Sequence, residues 1–136
     1  MTETEAEDNN LSALRILIVE DEYYVADDLA RALEGLGATV LGPVATLEEA
    51  ERLVAEGRFD CAVLDMNLRG EMAFPIADRL EAQGIPFVVA SGYNSASLPD
   101  RFSAVPRVEK PYDPAQVVAI LPRARSSGGS SEALLD

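Results

Sequence analysis

Histidine is absent from this chain of 136 residues, cysteine occurs once, and basic residues are scarce. Each lack removes a class of behaviour. With Cys61 alone, no internal disulfide can form, and its place inside an apolar run marks a small buried hydrophobe rather than a redox centre. Lys and Arg number 11 against 24 Asp and Glu, so the formal net charge is −13, and no histidine adds positive charge on mild acidification. So negative a surface repels phosphate backbones and anionic lipid. That argues against nucleic-acid or membrane binding and for basic partners and divalent cations. No apolar run approaches the roughly 20 residues that span a bilayer. The acidic N-terminus lacks the apolar stretch of a signal peptide, so a soluble, cytoplasmic protein is expected.

What is present reads as one domain between two polar ends. Residues 1–12 are acidic and free of glycine and are expected to be disordered, while 126–136, opening SSGGSS, read as a flexible tail. Residues 13–125 remain as the folded unit, in which apolar runs alternate with helical patterns. The first run, Ile16–Val19, precedes a helix with Val25, Leu29, Ala32, Leu33 and Leu36 on one face, stopped by Gly35 and Gly37. Thr39–Val44 reads as a strand that Pro43 confines to a sheet edge. Thr46 to Glu49 forms a capping box that opens a helix with Leu47, Ala50, Leu53 and Val54 inward. A strand from Cys61, a helix over 74–83 with Pro75 in its first turn, and a strand from Phe87 follow. Residues 94–104 are weakly patterned and predict only a short helix. A short strand then reaches Lys110, and Asp113-Pro114 caps a last helix with Val117, Val118 and Leu121 inward.

Near-continuous apolar strands imply burial on both faces, as in a parallel sheet. The predicted fold is therefore α/β: a doubly wound, five-stranded parallel sheet in the order 2-1-3-4-5, with helices on both faces. Parallel strands bring their carboxyl ends to one edge. Glu20, Asp21 and Glu22 follow the first strand there, Asp65 the third, Ser91 the fourth and Lys110 the fifth. Carboxylates so close repel by about 1 to 4 kcal/mol per pair at about 4 Å. A proton or a cation resolves that repulsion, and an all-oxygen donor set favours Mg2+ over a transition metal. Asp65 is the candidate nucleophile toward phosphorus, with Lys110 supplying a cation and Ser91 a hydroxyl. A cis peptide between Lys110 and Pro111 would aim the amine into the site.

The strings LIVEDE, LDMNL, VASGY and VEKPY, in this order and spacing, resemble the receiver domain of two-component response regulators over residues of about 14–125. That resemblance implies a flavodoxin-like (βα)5 fold and a phosphoryl group received by Asp65 from a sensor histidine kinase in the presence of Mg2+. It also implies Asp21 as a direct metal ligand, Glu20 acting through water, and Asn67 offering its backbone carbonyl. Ser91 then matches the switch hydroxyl and Lys110 the conserved-type lysine. The segments LDMNLRGE and PFVVASGY are similar to the narrower stand-alone FAT-GUY receivers of alphaproteobacteria, often served by HWE-family kinases, although Val89 and Ser91 replace that motif's Phe and Thr. Two further departures stand out. Glu20 replaces the commoner Asp, and Arg107 stands where many receivers carry a switching aromatic, a role for which Tyr93 or Tyr112 is available.

Without a histidine the chain cannot be its own phosphohistidine donor. On this reading it is not an enzyme, beyond autodephosphorylation, and its readout is binding to another protein or drainage of a kinase's phosphoryl groups. The face of the fourth helix, fifth strand and fifth helix offers a route to a homodimer. Competing readings are a degenerate, phosphorylation-independent adaptor and a small aspartyl-phosphate phosphatase. The latter is disfavoured because Asn67 stands where such enzymes place a second Asp.

Overall fold

The computed structural model describes residues 11–92 and 98–121. Five parallel strands, β1 (Arg15–Val19), β2 (Thr39–Val44), β3 (Cys61–Asp65), β4 (Phe87–Ser91) and β5 (Arg107–Glu109), lie in the order β2-β1-β3-β4-β5. Among the described residues four α-helices flank them: α1 (Tyr23–Gly35), α2 (Leu47–Glu56), α3 (Phe74–Ala82) and α4 (Pro114–Ile120). The predicted strand order and the edge position of β2 are both observed.

Side chains alternate across a strand, so the apolar runs feed two cores at once. Ile16, Ile18, Cys61, Val63, Val88 and Ala90 pack beneath α1 and α4 with Leu29, Leu33 and Val117. Leu17, Val19, Ala62, Leu64, Phe87 and Val89 pack on the other face with Ala50, Val54, Ile76 and Leu80 of α2 and α3. Burial of every residue of β3 and β4 explains why they read as unbroken apolar runs. Cys61 is a buried free thiol. No helix among the described residues is long and apolar enough to cross a membrane.

Several expectations need correction. Leu11, assigned to a disordered end, is fully buried, and its backbone N–H donates to Leu36 O at 2.8 Å. Its side chain joins the core that contains Leu14 and Leu33, and the removal of that apolar surface from water offsets the cost of ordering the chain before β1. The inward stripe of α1 is Ala26, Leu29, Ala30 and Leu33, whereas Val25 and Ala32 sit at its margin. Among the described residues of the weakly patterned segment stands a 3-10 turn, Asp100–Phe102, anchored by buried Phe102 stacked on Phe74 at 6.1 Å. Residues 93–97, and with them Tyr93, lie outside the described residues, as do 1–10 and 122–136.

The caps are as expected in kind. Thr46 Oγ1 accepts the Glu49 N–H at 3.2 Å, while Glu49 reaches back to the Ala45 N–H rather than to that of Thr46. At α4, Asp113 and Gln116 form a reciprocal box. A two-residue hairpin, Asn67–Leu68 against Glu71–Met72, was not foreseen, because its strands are too short to show a period.

Gly42 ties the edge strand to the site. The pairing of β1 with β2 shifts between Leu17 and Val19, opposite Gly42 at φ +88°, and the Glu20 N–H then donates to Val44 O at 2.9 Å. A Cβ on Gly42 would lie 2.8 Å from Val44 N and 2.9 Å from Ile18 O, both backbone atoms that cannot swing aside. Gly42→Ala is expected to cost about 1–3 kcal/mol through the strained φ alone, and more through the collisions. A urea titration with a lowered midpoint and unchanged slope would show it; an unchanged midpoint would mean the bulge relaxes freely.

Candidate functional site

Register decides which strand ends meet. Val19 pairs with Leu64, so the next residues, Glu20 and Asp65, leave the sheet side by side. Asp65 pairs with Ala90 and Ser91 with Glu109, which sets Ser91 and Lys110 beside them. The peptide between Lys110 and Pro111 is cis, as anticipated. The Lys110 N–H donates to Ser91 O at 2.8 Å, anchoring the chain where it turns into the site.

The Lys110 ammonium bridges the two strand ends. Its Nζ donates to Glu20 Oε2 at 2.9 Å and to Asp65 Oδ2 at 3.0 Å, with Glu22 Oε1 farther off at 3.5 Å. Asp65 Oδ1 accepts the Asn67 N–H at 3.1 Å, and Glu20 Oε2 also accepts the Glu22 N–H at 3.0 Å. Glu20 and Asp65 are buried, Asp21 is partly buried, and each offers an oxygen within 4.8 Å of the others.

Three carboxylates thus crowd together, with one partly buried ammonium bonded to two of them. Burial pushes the Glu20 carboxyl up to about 7, with the Asp65 charge adding to the rise, against the Lys110 hydrogen bond that draws it down. Asp65 is raised as well, again through burial first and in spite of Lys110 and the Asn67 N–H. Lys110 moves the opposite way in effect. Burial disfavours its charge, yet the bonds to Glu20 and Asp65 outweigh that and raise it. The all-oxygen donor set of Glu20, Asp21 and Asp65 has the chemistry that suits a divalent cation.

Two buried hydroxyls, Ser91 Oγ and Tyr112 Oη, make no hydrogen bond. Buried polar atoms are nearly always paired, so the orphaned Ser91 Oγ at this edge is a donor awaiting an acceptor. Tyr112 packs against the α1 and α4 core, and burial followed by the nearby Glu20 charge holds its phenol above the usual range. Arg107 is exposed on β5, at the edge of the sheet. The hairpin after Asp65 supplies a feature that sequence reasoning missed. Gly70 N–H donates to Asn67 Oδ1 at 2.7 Å, and Arg69 projects Nε to 3.7 Å from Asp21 Oδ2. Arginine at that place carries no sequence signal, since the turn that aims it is set by φ +54° at Arg69 and +93° at Gly70.

Residues 16–122 match the family of the response regulator receiver domain. This chain belongs to that family. The receiver is 33% identical over 121 residues to the phyllosphere-induced regulator PhyR of Methylorubrum extorquens, a match covering 82% of this chain and 43% of that protein. It spans less than half the length of the curated relatives it matches first. Among solved structures it is similar to SdrG from Sphingomonas melonis Fr1, at 42% identity and a TM-score of 0.70 over 78% of this chain and 91% of the other. It is also similar to the BeF3-activated conformation of SdrG, at 40% identity and a TM-score of 0.67 over 79% and 92%. The receiver therefore shares with these proteins the flavodoxin-like fold.

Proposed function

We propose that this receiver accepts a phosphoryl group on Asp65 from the phosphohistidine of a sensor kinase, in the presence of Mg2+, and signals by binding another protein or by draining that kinase. An HWE-family kinase is the candidate donor, on the likeness to FAT-GUY receivers. One observation carries the reading: Lys110 Nζ lies 3.0 Å from one oxygen of Asp65, while the other is held by the Asn67 N–H at 3.1 Å. The carboxylate is thereby oriented with a cation beside it, which is what attack on phosphorus requires.

In the step itself an Asp65 oxygen forms a bond to phosphorus and the phosphorus–nitrogen bond to the donor imidazole breaks. The bonding pair leaves with the imidazole nitrogen, and Asp65 becomes an acyl phosphate. Glu20, Asp21 and Asp65, with the Asn67 backbone carbonyl, are the residues that would hold Mg2+, which supplies positive charge to the phosphoryl oxygens. Lys110 gives up its bond to Asp65 Oδ2 for a phosphoryl oxygen, and the unpaired Ser91 Oγ donates to another. The solved likeness to a BeF3-activated relative supports this, because beryllofluoride mimics a phosphoryl group on a carboxylate.

Incubation with acetyl phosphate and Mg2+, read by intact mass and peptide mapping, tests the proposal. One phosphoryl group on the peptide that contains Asp65 is expected. No adduct, with beryllofluoride also without effect on the spectrum of backbone amides, would favour a degenerate adaptor.

The metal ligands are separable by mutation. Asp21 belongs to the carboxylate cluster, whereas Glu22 lies outside it and is mostly exposed. Asp21→Ala is expected to weaken Mg2+ binding by about tenfold or more, and Glu22→Ala by less than about threefold, since an exposed charge is largely screened. Calorimetric titration checks it; equal losses would displace Asp21 from the ligand set.

A further inference from the structure

Arg69 stands at the mouth of the acidic cluster and has no part in the function proposed above. The Lys110 ammonium serves Glu20 and Asp65; the cation beside Asp21 is the Arg69 guanidinium, with Nε 3.7 Å from Oδ2. Asp21 is only 12% exposed at its side chain while Arg69 is 76% exposed, so the arginine reaches inward from the rim. Beside them lies a hollow of about 270 Å3 that Glu20, Asp21, Tyr23, Asp27, Pro43 and Arg69 help to line. The reach is built into the backbone. Arg69 adopts φ +54°, a conformation uncommon outside glycine, in a turn closed by Gly70 N–H on Asn67 Oδ1 and by the hairpin pairing on either side.

We infer that Arg69 is a resident counter-ion of the metal site, whose guanidinium beside Asp21 weakens the attraction of the cluster for a divalent cation. The inference rests on the reading of Glu20, Asp21 and Asp65 as the metal-binding cluster. The physical content is a competition. A guanidinium 3.7 Å from Asp21 offsets part of the negative charge that draws a divalent cation, so it lowers the affinity of the site for metal and eases the repulsion between Asp21 and its neighbours. The guanidinium can swing away from an incoming cation without movement of the backbone, because the head group is already solvent-facing. Arg69 is a positioning residue in this scheme and touches no reacting atom.

The test is Mg2+ titration by calorimetry at low ionic strength on three proteins. The first is the wild type. The second is Arg69→Asn, since Asn tolerates a positive φ. The third is Arg58→Ala, which makes the same change in net charge just before β3, at the opposite edge of the sheet. Arg69→Asn is expected to bind Mg2+ about three- to tenfold more tightly than wild type, with the gap closing as added salt screens the exposed guanidinium. Arg58→Ala is expected to match wild type. Arg69→Gly, which also accommodates the turn, should reproduce the tightening. An unchanged or weaker affinity in both Arg69 variants would overturn the inference, and so would an equal tightening in Arg58→Ala. Absence of Mg2+ binding in every protein would overturn the metal reading itself, and this inference with it.

Discussion

Asp65→Asn is expected to reduce phosphoryl labelling to background. The amide has no anionic oxygen to attack phosphorus, and it places an N–H group against the Lys110 ammonium where Asp65 Oδ2 now accepts at 3.0 Å. Its remaining oxygen still accepts the Asn67 N–H, so the loop after β3 has no cause to rearrange. The substitution also removes one of three crowded carboxylates, so the folded state should not be lost with the reactivity. Intact mass after acetyl phosphate treatment, with a thermal melt beside it, separates the two effects. A phosphoryl adduct persisting on a folded Asp65→Asn protein would remove Asp65 from the role of acceptor.

Lys110→Ala comes second in size and acts on two properties at once. Loss of a charged donor aimed at the reacting oxygens typically slows such chemistry by about 10²-fold or more, so labelling by acetyl phosphate should fall by that order. Stability should fall as well, because Glu20 and Asp65 lose the cation that bridges them. The pH dependence has a definite sign. Glu20 is held at about 7 in the folded protein, above its ordinary value of 4.5, so its contribution is fully present below pH 4.5 and is lost as pH rises through 7. Without Lys110 the carboxyls rise further. Thermal melts in chelator should therefore show the variant losing more stability between pH 6 and 8 than wild type, and Mg2+ should narrow that gap. A variant with wild-type labelling rate would show that the ammonium only balances charge in the resting site.

Much of this molecule was legible before any coordinate. The strands of two-faced burial announced themselves as apolar runs, and β2 betrayed its edge position through Pro43. Caps at Thr46 and Asp113 marked the helix starts, because a side-chain oxygen facing a backbone N–H three residues on is a local arrangement. The gathering of Glu20, Asp21, Asp65, Ser91 and Lys110 at one edge followed from a single topological rule, that parallel strands end together, whereas Asn67 was marked only by the family resemblance. Where the pattern was weak, as before the 3-10 turn at Asp100, the local residues had no repeating face to read. Leu11 was lost among acidic neighbours, and a lone apolar residue in such a stretch shows its burial only once the helix end at Leu36 stands beside it.

The sequence alone determined which groups stand at the strand ends: carboxylates, a hydroxyl and an amine. Which atoms meet was decided by tertiary structure. Lys110 is 90 residues from Glu20 and 45 from Asp65, and it reaches both because β1, β3, β4 and β5 close in one register. Arg69 faces Asp21 because two positive φ values turn the hairpin back over the edge. Local propensities are properties of a few consecutive residues, whereas a contact across the sheet depends on every crossover between them, and that dependence is carried by the packed fold.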